Sequence, residues 1–568
     1  MFDGEASMLK RLISLITVFC LALGIGALAG CGNNTDADNQ NNQSGGAAMG
    51  DISAEKVVYI NESGESVYRI VRPNDKEMTS VAAVVFKQMK DGLGVGIRNV
   101  LDSEDGTDLN EILIGNTNRP ESAQAIDYLR SQGYGRYNDY IVCTIGKKIV
   151  INGMSNEAIE KAADCFVKNF IKKEGIEGGI CRLYATEGSF SDITVNGTSI
   201  SKYNFVWDST NLSWLIRQEV GLIQDFLRET TGFYVPLKED AGTDKGEYEI
   251  SIGNTDRAVK AQSEYSYEEW EILISGKKVN ILGGSTYAVQ VAVTEFGKML
   301  QKKAITDADS TTGTYSETVA DYDSSTYYSL KWCDEFDGDS LDTSKWSHPT
   351  DSREDGNMVN DDTTVYFKDG AIVMLGNRRE DGTYYHCSGV QTANKMTFNF
   401  GYLEMRAKIP DGTGVYSSFW TTGGGLEIDI FESLGMAHTQ RANIHYWQSE
   451  ANGGHTSLDG GLYGPDNNKI SGNDRQFVLK EGSLSDRYRT IGLYWTPQEI
   501  TFIYDGEVYY TQPSDEFHID KYQYILAGFN VGWPGRTAPA EDLQLPLEYH
   551  IDYIRLFQID GQGLKINR

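Results

Sequence analysis

The first apolar run of the chain spans Leu12 to Ala27, follows Lys10 and Arg11, and ends in the small residues before Cys31. A basic start and a short apolar stretch closed by small residues form an export signal, which takes no part in the fold. Asp3 and Glu5 are out of place in such a signal, so Met8 is the expected start. From Gly32 to Asp51, "GNNTDADNQNNQSGGAAMGD" offers almost nothing to bury and reads as a tether. Hydrophobic periodicity then appears in two matching stretches. "EILIGNTNR" at 111–119 recurs as "EISIGNTDR" at 249–257, and "IGKKIVINGMS" at 145–155 as "ISGKKVNILGGS" at 274–285. A helix-like run follows each stretch, and another precedes each near Ser80–Met89 and Leu215–Arg228. Each unit therefore reads helix, strand, GNT turn, strand, hairpin, helix, which predicts two α+β layers. The GNT segment lacks the spacing of a phosphate or dinucleotide loop and is read as a structural turn.

From about Leu330 the pattern changes to short β-branched and aromatic runs between Gly, Asp and Asn turns, with no helix-length period. That predicts a two-sheet β-sandwich. One strand candidate, "LEIDIFES" at 426–433, sets three acids among Ile428, Ile430 and Phe431. Alternation puts Glu427 and Asp429 on one face and Glu432 on the other. One β-bulge between Asp429 and Glu432 reverses the parity and puts all three on the same face. Two carboxylates facing each other suit glycoside hydrolysis, one as nucleophile and one as proton donor. Taken alone, the spacing also fits an ordinary charged stretch.

The 568 residues, 40% hydrophobic and 23% charged with 60 Gly and 33 Tyr, describe a large, turn-rich globular protein. A net charge of −30 with no basic patch argues against nucleic acid and anionic membrane surfaces as partners. Beyond Cys20 and Cys31, the cysteines are Cys143, Cys165, Cys181, Cys333 and Cys387. That odd, widely spaced set argues against a disulfide framework or a zinc site, and most are expected to be core residues.

"LAGC" at 28–31 resembles the lipobox of bacterial lipoproteins, which implies cleavage before Cys31 and lipidation of its sulfur. The two repeats resemble the α+β accessory domains of some bacterial hexosaminidases and glucuronidases, and carry no assigned chemistry. The remaining motifs are "WCDEFDG" at 332–338, "LDTSKW" at 341–346, "FGYLEMRAKIP" at 400–410, "SSFW" at 417–420, "LEIDIFES", "YWTPQEITFIYDG" at 494–506, and "FNVGWPG" leading to "HIDYIRLFQ". In this order they resemble glycoside hydrolase family 16, in the branch of bacterial laminarinases and endo-β-1,3(4)-glucanases.

That resemblance implies a jelly-roll sandwich whose concave face binds a glycan, and a retaining mechanism with Glu427 as nucleophile, Asp429 as its assistant and Glu432 as acid/base. Phe431 is the expected extra residue of the bulge. His445, Trp420, Trp533 and Asn530 are the implied substrate-side residues, while Trp346 and Trp495 read as core. A structural Ca²⁺ held by Asp552, Glu335 and the Gly370 carbonyl is also implied, and no cofactor for the chemistry. Leu426 and Tyr416-Ser417-Ser418 depart from the family pattern and leave the glycan open.

The expected domains are a lipoprotein signal at 1–31, a linker at 32–52, α+β units at 53–195 and 196–320, and the catalytic domain at 321–562. The expected protein is a monomeric, exported endo-β-glucanase anchored by lipid at the bacterial cell surface. A galactan hydrolase of the agarase or carrageenase kind and a non-catalytic glycan-binding protein are the alternatives.

Overall fold

The computed structural model describes residues 67–567 apart from 95, 107–108, 172–179, 350–362, 379, 381–384, 387, 434–438, 448–454, 458–474, 480–481, 514–520 and 533–542. The signal, the tether, Cys31, Cys387 and Trp533 thus lie outside the described residues. The chain forms two compact units, one of residues up to Tyr203 with Ile223–Pro236, the other of Asn204–Leu222 with Leu237–Arg568.

The first unit contains a six-stranded sheet in the order Arg98–Leu101, Tyr68–Arg72, Asn110–Ile114, Lys148–Gly153, Tyr140–Ile145, Cys181–Tyr184. The first four strands run parallel, Tyr140–Ile145 runs antiparallel to them, and Cys181–Tyr184 pairs antiparallel with Tyr140–Ile145. Helices Lys76–Leu93 and Asn156–Phe170 pack on one face, where Met78, Val81, Val85, Ile159 and Phe166 are buried. Asp75 and Ser155 cap these helices by accepting from the amides of Met78 and Ala158.

The second unit carries a sheet with the corresponding strand order: Leu237–Glu239, Asn204–Trp207, Glu249–Ile252, Lys278–Gly283, Glu269–Ser275, Thr311–Thr314. The GNT turn follows the third strand in sequence in each sheet. Helix Pro120–Ser131 comes after it in the first, only the short 3₁₀ turn Gln262–Glu264 in the second. The parallel pairing is absent from the linear pattern, because it depends on which strands meet.

The rest of the second unit is a β-sandwich. Its larger sheet runs Val365–Lys368, Ala371–Arg378, Leu547–Gln558, Gly401–Lys408, Arg489–Trp495, Glu499–Tyr504, Glu507–Pro513. The smaller runs Ser388–Gln391, Tyr524–Val531, Val415–Gly423, Leu426–Glu432, Thr439–Trp447, His455–Ser457. Between them lies one apolar core that includes Trp346, Leu403, Phe419, Ile428, Phe431 and Trp495. Strand Gly563–Ile566 pairs with Met396–Asn399, so the β-structure continues past 562.

The outer face of the larger sheet is covered by the second α+β layer. Trp214 packs against Tyr402 and Tyr494 at 5.0 and 5.1 Å. Buried Glu404 accepts hydrogen bonds from Ser213, Tyr402 and Tyr553, and Arg406 donates twice to the Thr210 carbonyl. Residues 204–222 and 237–320 therefore belong to the same compact unit as the sandwich, with no division at 320. The outer face of the smaller sheet is the other broad surface, and the three acids lie there.

Candidate active site

Gly423-Gly424-Gly425 sets the register of the acid-bearing strand. Gly424 and Gly425 have φ of 61° and 88°, the left-handed pair of a tight hairpin turn. A Cβ on Gly423 would lie 2.1 Å from the Tyr522 carbonyl oxygen. The hairpin pairs Thr422 with Glu427, Trp420 with Asp429 and Ser418 with Glu432. The register shifts between Phe419 and Trp420, leaving Ile430 without a partner on that side. On the other side Asp429 faces Asn443 and Glu432 faces Arg441, with a shift between. The bulge therefore lies between Asp429 and Glu432, and the three acids share one face. Ile430, rather than Phe431, is the residue left unpaired on the hairpin side; both side chains are buried in the core.

Glu427 lies opposite His445. His445 Nε2 stands 3.0 Å from Asp429 Oδ2 and 3.0 Å from Asn443 Nδ2, so the imidazole is held between the two side chains. Burial, and then the charge of Glu427, push the Asp429 carboxyl well above its ordinary range, while Arg441 opposes them. The Glu432 carboxyl is pushed up to about 7 by burial and the charge of Asp429, with Tyr416, Arg441 and His445 pulling it down. Tyr416 donates its phenol hydrogen to Glu432 Oε1, and Arg441 Nε lies 3.9 Å from Glu432 Oε2. A carboxyl near 7 holds and releases a proton at neutral pH, as an acid/base requires.

Trp420 sits half-buried on this face beside Asp429, and Asn530 stands opposite Tyr416. Tyr416, Arg441 and Asn443 were not among the expected site residues. Counting by twos back from Trp420 and His445 would have found them. Among the described residues, Glu427, Asp429 and His445 are the one group of three metal-competent side chains, with ligand atoms within 4.8 Å of one another.

The expected calcium ligands lie elsewhere in the sandwich. Arg555 holds Glu335 with both carboxylate oxygens, at 2.8 and 2.6 Å, and Arg406 binds Asp552 at 2.6 Å. Asp337 joins them: its carboxyl is raised by burial and by the charges of Glu335 and Asp552. A Cβ on Gly370 would lie 3.8 Å from Asp337 Oδ1. These hard oxygen donors suit calcium. The guanidinium groups of Arg555 and Arg406 already balance Glu335 and Asp552.

Residues 329–559 match the family model described as the glycoside hydrolase family 16 domain of beta-porphyranases A–D. Glucan endo-1,3-beta-glucosidase A1 of Niallia circulans is 25% identical over 274 residues, covering 40% of this chain and 38% of that protein. Keratan-sulfate endo-1,4-beta-galactosidase of Sphingobacterium multivorum is 25% identical over 259 residues, covering 41% of this chain and 56% of that protein. The chain thus spans less than two thirds of both relatives. The laminarinase catalytic domain of Thermotoga maritima MSB8 is 23% identical, with a TM-score of 0.34 over 41% of this chain and 98% of that one. The segment 329–559, with its paired sheets and three acids on one open face, is the part of the chain that matches glycoside hydrolase family 16.

Proposed function

We propose that this protein is an endo-acting, retaining β-glucanase that hydrolyses β-1,3 or mixed β-1,3/1,4 glucans. The observation that carries this reading is the single face formed by Glu427, Asp429 and Glu432, with the Glu432 carboxyl near 7. Glu427 attacks the anomeric carbon as Glu432 protonates the departing oxygen. Glu432 then takes a proton from water, which attacks the same carbon and releases Glu427. Asp429, whose raised carboxyl holds its proton beside His445, positions Glu427 and limits the negative charge next to it. Trp420 offers an apolar ring face to a sugar, and Asn530 a hydrogen-bonding edge.

A second reading, a galactan hydrolase, is favoured by the porphyranase description of the matched family model and by the keratan-sulfate galactosidase among the relatives. Product release from laminarin, lichenan, agarose, carrageenan, porphyran and keratan sulfate, measured in parallel, separates the two. Oligosaccharides from laminarin or lichenan support the glucanase; turnover restricted to the galactans overturns it.

In the same reading the protein is a monomer exported and anchored through lipid on Cys31. Cys31→Ser then releases it from the membrane fraction, and retention of that variant on membranes refutes the anchor. A structural calcium held by Asp337, Asp552, Glu335 and the Gly370 carbonyl would tie the start of the sandwich to its long strand. Chelation then lowers the melting temperature and added calcium restores it; an unchanged melting curve refutes the ion.

A further inference from the structure

Cys143 and Cys181 face each other on neighbouring antiparallel strands of the first unit, Tyr140–Ile145 and Cys181–Tyr184. The Thr144 amide donates to the Ile180 carbonyl at 2.8 Å, so residues 144 and 180 form a hydrogen-bonded pair. Such pairs alternate along an antiparallel ladder with pairs that lack these bonds. Cys143 and Cys181 are therefore a non-hydrogen-bonded pair, the kind whose Cα atoms approach to about 4.5 Å. A disulfide needs a Cα separation of about 4.4–6.8 Å, so the backbone already meets the requirement. Both side chains lie on one face: Cys143 is fully buried in an apolar cluster with Val71, Leu113, Leu129 and Val150, and Cys181 packs against that cluster from its edge. The other described cysteine of this unit, Cys165, donates to the Tyr184 hydroxyl at 3.0 Å.

We propose that Cys143 and Cys181 form a cross-strand disulfide, made by exchange with an external disulfide.

The environment of the two thiols sets the order of the steps. Burial raises both, but Cys181 is only partly buried, and a hydrogen bond with Tyr128 and the charge of Arg182 pull it back down. The Cys181 thiolate attacks the external disulfide, forming a mixed disulfide and expelling one thiolate. Cys143 then loses its proton and attacks the Cys181 sulfur, expelling the second thiolate. Two protein thiols lose two protons and two electrons, and the external disulfide is reduced to two thiols. Cys181–Tyr184 is the edge strand of its sheet, so the bond fastens that edge to its neighbour.

The test is a thiol map of the full-length protein after equilibration with oxidised glutathione, run on the folded chain and on chain refolded in the same buffer. After acid quenching, alkylation in denaturant and proteolysis, the expected product is one cross-linked peptide pair containing Cys143 and Cys181. Its mass is about 2 Da below that of the two free peptides, and dithiothreitol abolishes it. Cys165 and Cys333 carry the alkyl label. In Cys181→Ser, Cys143 becomes labelled. Labelling of both Cys143 and Cys181 in the refolded wild-type sample overturns the proposal, because oxidation during refolding removes any barrier set by burial. A link from either residue to a different cysteine overturns it as well.

Discussion

Tyr416→Phe isolates the hydrogen bond that tunes the acid/base. The ring and its packing stay, and only the hydroxyl that donates to Glu432 Oε1 is removed. A hydrogen bond to a charged group contributes about 1.5–3 kcal/mol, and one pH unit corresponds to about 1.36 kcal/mol. If the bond acts mainly on the ionised form, its loss moves the Glu432 carboxyl upward from about 7 by roughly 1–2 units. The sign is fixed: the phenol stabilises the carboxylate, so its removal favours the proton. Glu432 must be protonated for the first chemical step, so the alkaline limb of kcat/KM moves to higher pH by the same amount. The assay is the pH profile of wild type and Tyr416→Phe on an oligosaccharide whose leaving group needs protonation. An unmoved alkaline limb, or one shifted to lower pH, refutes this account of Glu432.

Three further outcomes follow from the same geometry. Because the Glu432 carboxyl rises from its ordinary 4.5 to about 7 on folding, its contribution to stability is complete below pH 4.5 and is lost as pH rises through 7. Glu432→Gln removes that loss, about 3 kcal/mol, so it melts higher than wild type at pH 8 and close to it at pH 4; thermal melts at both values decide. Gly423→Ala drives a Cβ against the Tyr522 carbonyl and costs about 1–3 kcal/mol, read as a lower urea midpoint; an unchanged midpoint contradicts the register argument. A fragment of residues 321–568 exposes Tyr402, Tyr494, Glu404 and Tyr553, which the second α+β layer covers; aggregation or a lower melting temperature than the full chain is expected, and an equally stable fragment contradicts the described seam.

The three acids were legible because a strand has a period of two and one bulge is the smallest change that repairs it. Which residue the bulge leaves out was not legible, since Ile430 is set aside only because Asp429 and Phe431 on either side of it pair with Trp420 and Phe419 of the neighbouring strand. Tyr416, Arg441 and Asn443 were within reach of the same alternation, counted back from Trp420 and His445, but their contacts with the acids depend on cross-strand register. Trp346 and Trp495 read as core and are buried there. The burial of Glu404 was not legible, because it depends on Ser213 and Tyr553, distant in sequence. Cys143 and Cys181 looked too far apart to matter until the strand pairing placed them opposite each other.

The division of labour between Glu427 and Glu432 is tested most directly by azide rescue of two variants. In a retaining mechanism the nucleophile works on the face opposite the leaving group, and the acid/base activates water on the face that group vacates. With Glu427→Ala and an α-glycosyl fluoride excluded, azide takes the nucleophile's place on an activated β-fluoride donor and yields the α-glycosyl azide. With Glu432→Ala and a leaving group that needs no proton, the covalent intermediate on Glu427 forms and azide displaces it to the β-glycosyl azide. These two anomers, each from its own variant and identified by proton NMR, are the predicted result. Exchanged anomers would contradict the division of roles between Glu427 and Glu432, and undiminished hydrolysis in either variant would contradict the assignment of the three-acid face as the catalytic centre.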